Sequence, residues 1–300
     1  KDSSVLGDAG NDTLSFNAKV DGTTSGGGKG SDSIRFTSSV ENAVIRGGSE
    51  NDTINLASTY ASSTIYGAGT GVNADDGDDS IIVTGAASAV LAQGNGGNDT
   101  LDFSSTLKAS SKARGGAGDD FISGITGLTS STLYGDLGND TIEVRGNAKS
   151  VTIQGGNATD TTTDGIDSVL ITGGLTDGFA QLNAGNDTLS VGAVQRVTVK
   201  GGAGTDYITN AGALLTASVY GNKGNDTIGL GSLVTDDIKA TLVQGNAGAD
   251  TLSATGQLLT SSIRGGAGAD SLSVSLGSST ATNAKGYVFG DAGNDSIIIA

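Results

Sequence analysis

Fourteen aspartates recur along the chain at near-equal intervals: Asp12, Asp32, Asp52, Asp79, Asp99, Asp120, Asp140, Asp167, Asp187, Asp206, Asp226, Asp250, Asp270 and Asp295. Each closes a glycine-rich turn, as in "GDLGND" at 135–140, and is followed by a strand-like "TIEV". With Asp as position 6 of its turn, position 4 is Gly in thirteen of the fourteen, Glu50 being the exception. Gly7, Gly27, Gly94, Gly115, Gly135, Gly201, Gly221, Gly245, Gly265 and Gly290 open such turns at position 1. Glycine lets the backbone adopt positive φ and aim carbonyl oxygens inward. A carboxylate beside such carbonyls is an oxygen-only donor set. Asp8, Asp136 and Asp291 at position 2 offer a further oxygen.

The elements that hold these turns follow from the period. The aspartate spacings are 20, 20, 27, 20, 21, 20, 27, 20, 19, 20, 24, 20 and 25 residues, so a repeat of about 20 runs the whole length. Position 8 is Leu, Ile or Val in every repeat, position 10 is often apolar, and positions 7 and 9 are mostly polar. That alternation of two marks a strand with one buried face. A second strand precedes each turn, with an aliphatic residue such as Ile45, Leu133, Val199 or Ile263 turned inward. A two-strand unit cannot bury its apolar face alone, whereas stacked units can. The fold expected is all-β: a parallel β-roll or β-solenoid of about fourteen two-strand coils with about 20 residues per coil. It forms one continuous array over 1–300, as a segment of a longer protein or a stacked subunit. Four insertions interrupt the period, at 67–79, 155–167, 231–240 and 277–285.

Composition narrows the partner. The 300 residues hold 32 acids against 16 bases, a formal charge of −16, and no Cys or His. Nucleic acid is excluded as a natural partner for such a surface. Zinc and copper lose their usual ligands, leaving hard cations. No run of about 18 apolar residues is present, so no membrane insertion by a helix is expected. Stacking turns about 4.8 Å apart brings neighbouring carboxylates together with carbonyls between them. Such a column repels itself unless neutralised. Calcium accepts six to eight oxygens in tolerant geometry, and magnesium demands a stricter octahedron. Ca2+ is therefore the expected ion, as several ions in one row.

"GGKGSDSIR" at 27–35, "GGAGDDFIS" at 115–123, "GGAGTDYIT" at 201–209 and "GGAGADSLS" at 265–273 resemble the RTX, or haemolysin-type, calcium-binding nonapeptide G-G-x-G-x-D-x-U-x. The resemblance extends over all fourteen repeats. It implies a calcium-bound parallel β-roll that folds after secretion, often by the type I route. The family's common roll has such a turn on both edges. Here only one edge has it, so one row of up to thirteen ions is expected. Occupancy is expected to be lower at the Asp32–Asp52, Asp52–Asp79 and Asp140–Asp167 steps, beside Glu50 and the two acidic-turn insertions.

Two functional readings stay open. The first is an extracellular structural protein, part of a surface layer, filament or appendage, whose repeats run to both chain ends and so favour self-association in a lattice or filament. The second is a calcium-dependent secretion or folding module of a larger toxin, hydrolase or adhesin. The outward column of Arg, Tyr and Gln, including Arg46, Tyr66, Arg114 and Tyr134, is a solvated face or a surface for carbohydrate such as cell-surface polysaccharide. Enzyme activity has no support, since each repeated Asp has a structural task. The N-x-[ST] sequons at Asn11, Asn51, Asn98, Asn139, Asn186, Asn225 and Asn294 are by-products of the turn, and Asn157 in "NATD" is the more accessible one.

Overall fold

A computed structural model of the chain describes residues 3–69, 76–157, 164–231, 237–276 and 285–300. The cores of the four insertions, and most of the "NATD" sequon, lie outside the described residues. The architecture is the expected parallel β-solenoid, with about 20 residues per coil and no helix among the described residues. The chain divides into two compact units, one of residues 1–146 with 155–157, the other of 147–154 with 158–300.

In the first unit a representative coil has a leading strand Leu91–Gly96, a core strand Thr100–Phe103 and a short strand Thr106–Lys108. Each pairs in parallel with its counterpart one coil later: Ala92 with Ala113, Leu101 with Ile122, and Leu107 with Leu128. The second unit repeats the pattern, with Val199 paired to Val219, Ile208 to Ile228 and Leu214 to Ile238. The short strand is an addition to the two strands expected per coil. It lies in what reads as a loose turn, and its usual length of two or three residues leaves no alternation to detect. Its inward residues, among them Val40, Tyr60, Leu107 and Leu128, are fully buried.

Three inward rows therefore meet in each coil. Ile65 and Leu133 come from leading strands, Ile54, Leu101 and Ile142 from core strands, and Tyr60 and Leu128 from short strands. Burying an Ile or Leu contributes about 1.5–3 kcal/mol. A constant period makes these rows continuous within each unit, so identical residues stack on identical positions, as Phe16 does on Phe36 with ring centroids 4.4 Å apart.

Among the described residues, the corner after the short strand closes without a buried carboxylate. A residue there takes left-handed φ, such as Ser62 at 48° or Ser130 at 48°. A buried hydroxyl then caps the corner. Ser63 Oγ accepts the Ala43 N–H at 3.0 Å and donates to the Ala61 carbonyl at 2.6 Å. Ser261 Oγ accepts from Thr241 in the second unit in the same way, at 3.1 Å. The acidic corner, where leading strand passes to core strand, is built differently.

Candidate metal centre: a stacked carboxylate row

The acidic corner places the repeated aspartates inside the coil. From Asp32 to Asp270 every one of them is buried, none more than 3% exposed. The turn requires left-handed backbone at two points. In "GDLGND" Asp136 has φ 84° and Gly138 φ 120°. Asn and Asp tolerate the first of these conformations, and glycine suits the second. This explains why position 2 is so often Asn or Asp. Two of the acids there are engaged by arginine: Arg114 binds both oxygens of Asp136, at 2.6 and 2.8 Å, and Arg264 binds both of Asp291, at 2.5 and 2.9 Å. Asp8 lies exposed.

Each repeated carboxylate has one committed oxygen. Oδ1 accepts the backbone N–H of the aspartate one coil earlier: Asp12 to Asp32 at 2.7 Å, Asp79 to Asp99 at 2.8 Å, Asp99 to Asp120 at 2.7 Å, and in the second unit Asp206 to Asp226 at 2.9 Å and Asp226 to Asp250 at 2.8 Å. The bond is kept at the two irregular steps of the first unit, from Asp32 to Asp52 and from Asp52 to Asp79, both 2.7 Å. The second oxygen, Oδ2, has no hydrogen-bond partner in Asp32, Asp52, Asp79, Asp99, Asp120, Asp206, Asp226 and Asp250, and it is shielded from solvent. A buried carboxylate oxygen left so is costly.

The glycine at position 1 shows where these oxygens point. A Cβ on Gly94 would collide with Oδ2 of Asp99 and stand 2.6 Å from the carbonyl oxygen of Gly115, one coil later. The same pair of oxygens faces Gly67, Gly115, Gly201, Gly221, Gly245 and Gly265. Carboxylate and carbonyl thus converge on the space before these glycines. Gly47 belongs to this set as well, and the Gly155 carbonyl faces Gly135 in the same way. Position 1 of the Asp79 and Asp167 coils is displaced in sequence by an insertion, and Gly47 is legible once the coil is aligned on its strand. Gly94→Ala is expected to destabilise the fold by about 1–3 kcal/mol, the cost of overpacking a filled site; calcium-saturated thermal melts of the two proteins measure it.

A further row runs outside the first. Asn98 Oδ1 accepts the Asp119 N–H at 2.7 Å, Asp119 Oδ1 accepts from Asn139 at 2.8 Å, and Asn225 Oδ1 accepts from Ala249 at 2.8 Å. These position-5 side chains reach forward along the chain, whereas the buried aspartates accept from the coil behind. Position 5 thereby braces each turn against its neighbour, and the sequon asparagines Asn98, Asn139 and Asn225 are engaged in it.

Electrostatics agrees with the geometry. Burial pushes the carboxyls of Asp79 and Asp120 up to about 9, those of Asp52, Asp99, Asp187 and Asp206 to about 7, and that of Asp250 to about 6. Neighbouring aspartates push most of them in the same direction, while the backbone N–H bound to Oδ1 opposes it. No lysine or arginine lowers any of these values, so no basic side chain of the described residues offsets the charge of the row.

A cation fits this donor set. Among the described residues no three acidic side chains gather around one point, so an ion must draw on backbone oxygens too. The convergent glycine carbonyls supply them. Oxygen-only donors with carbonyls among them suit calcium better than magnesium.

A parallel β-solenoid with an internal column of stacked aspartates is the class of protein that fold and site define. Residues 112–124, 126–144 and 261–281 match the family described as RTX calcium-binding nonapeptide repeat (4 copies), and the chain carries that repeat. No curated protein matches the chain. Among solved structures, a mutant tailspike protein of E. coli bacteriophage HK620 in complex with a hexasaccharide aligns over 93% of this chain and 62% of its own, at 11% identity and a TM-score of 0.26. The chain thus spans under two thirds of that protein's length.

Proposed function

We propose that this chain is a calcium-binding structural repeat protein of the cell exterior, a piece of a surface layer, filament or appendage, that folds and stiffens when Ca2+ fills one row along its acidic corner. The observation that carries this reading is the row of buried Oδ2 atoms facing the carbonyl of the next coil's first glycine. The other corner favours a single row, because hydroxyls such as those of Ser63 and Ser261 close it. An environment with millimolar calcium, outside the cell, suits a protein stabilised by binding only in its native state.

Native mass spectrometry of chelator-treated protein, returned to calcium, tests the reading. Several bound ions are expected, with magnesium unable to replace them at equal concentration. A chain that stays free of metal at millimolar calcium would sink it. Asp226→Asn keeps the shape and a possible Oδ1 acceptor but removes one charge, and is expected to lose one or two ions while the far-ultraviolet spectrum stays that of a β protein. Electron microscopy of the same sample separates structural from secretory roles. Calcium-induced sheets or filaments favour the structural reading, and dispersed particles favour a folding module of a larger secreted protein.

A further inference from the structure

Thirteen of the fourteen acidic corners have glycine at position 1, and one has Leu182. The register fixes the equivalence: Ala180 pairs with Val199, Gln181 with Lys200 and Asn183 with Gly202, so Leu182 stands level with Gly201. Leu182 is 1% exposed, on the inward side of its strand Phe179–Ala184. The rest of that corner is complete. Asn183 has φ 81° and Gly185 φ 142°. Asp187 is buried, its Oδ1 accepts the Asp167 N–H at 2.8 Å, and its Oδ2 has no hydrogen-bond partner.

We infer that Leu182 plugs one position of the calcium row, so that the coil of Asp187 binds one ion fewer than its sequence motif promises. In the next two coils, a Cβ on Gly201 or Gly221 would stand between its own aspartate's Oδ2 and the following glycine carbonyl, 2.8 Å from that carbonyl in both. Leu182 puts a real Cβ, and an isobutyl group beyond it, into the corresponding space. Hydrocarbon cannot ligate calcium, and it takes the room that six to eight oxygens at about 2.3–2.6 Å would need. The row is therefore interrupted between the Asp187 and Asp206 coils, although "LNAGNDTLS" at 182–190 reads as a near-complete repeat. This inference rests on the calcium reading above.

The test counts ions. Native protein, Leu182→Gly and Gly221→Leu are stripped of metal, dialysed against millimolar calcium and analysed by native mass spectrometry, with a β-type far-ultraviolet spectrum as the folding control. Leu182→Gly is expected to hold one more ion than the native chain, and Gly221→Leu at least one fewer. Equal counts for native and Leu182→Gly, with calcium bound to both, overturn the plug while leaving the calcium reading intact. Should Leu182→Gly fail to fold, Gly221→Leu decides: a count equal to native overturns the idea that a leucine at position 1 excludes an ion. Absence of calcium from the native chain overturns both the calcium reading and this inference.

Discussion

Chelation of calcium at pH 8 is expected to abolish most of the β signal of this protein, and return of millimolar calcium to restore it. The carboxylates of Asp52, Asp79, Asp99 and Asp120 follow one another in successive coils, each nearly or wholly sealed from solvent. Burying an ionised carboxylate without a partner costs several kcal/mol, and a column of them adds mutual repulsion. Against this stands an apolar interior of modest side chains, with Gly at 51 of 300 positions raising the entropy of the unfolded chain. Marginal domains hold only about 5–15 kcal/mol in total, so a few uncompensated carboxylates suffice to reverse the balance. Calcium reverses it again, since an ion bound at 100 times its dissociation constant contributes about 2.7 kcal/mol per site. Circular dichroism during a calcium titration measures the transition. A spectrum unchanged by chelator at pH 8 would contradict the role given to the row.

Acid should substitute for calcium. The buried aspartates have folded pKa values above the ordinary 3.8, to about 6 at Asp250, about 7 at Asp99 and about 9 at Asp79 and Asp120. A carboxyl whose pKa is raised by folding binds its proton more tightly in the native state. Its contribution to stability is complete below the unfolded value and fades as pH climbs through the folded one. The metal-free chain is therefore expected to be most ordered near pH 4–5 and to unfold progressively between about pH 6 and 9. Surface pairs act in the opposite sense: Arg196 holds Asp177, and Arg264 holds Asp291, below the usual carboxylate range. Both acids are exposed or nearly so, so their loss in acid weighs little. Thermal melts in chelator at pH 5, 7 and 9 check the trend, and a melting temperature that rises with pH would refute it. With saturating calcium the dependence should flatten or invert, because the ion requires the carboxylates ionised.

Much of this was legible in the sequence because the chain repeats itself. Position 8 never departs from Leu, Ile or Val, and that invariance alone marks the core strand. The aspartates gave the row for the same reason. The short strands are not legible in the sequence because pairs such as Val20–Asp21 or Val194–Gln195 are held in β pairing by neighbouring coils, not by a pattern of their own. The acids at position 2 looked like extra ligands. Backbone conformation explains their presence at least as well, since a left-handed residue is needed there and arginine from the preceding coil binds Asp136 and Asp291. Leu182 is inconspicuous in the sequence because the repeat is anchored by the aspartate at the end of the turn, while the space for an ion is governed by its beginning.

The opposed reach of the two side-chain rows has a consequence for assembly of the coil stack. A coil already in place, such as that of Asp99, has two unmet needs on its leading face: the Asp99 N–H lacks an acceptor, and Asn98 Oδ1 lacks a donor. The next coil brings Asp120 Oδ1 for the first, at 2.7 Å, and the Asp119 N–H for the second, at 2.7 Å. Both bonds close only when adjacent residues of the newcomer arrive together. A slip of one residue would turn the newcomer's core side chains outward and carry the Asp120 carboxylate away from the Asp99 N–H it accepts. The last coil laid down thus proofreads the next, and an error in alignment is rejected one turn at a time instead of being carried along the array.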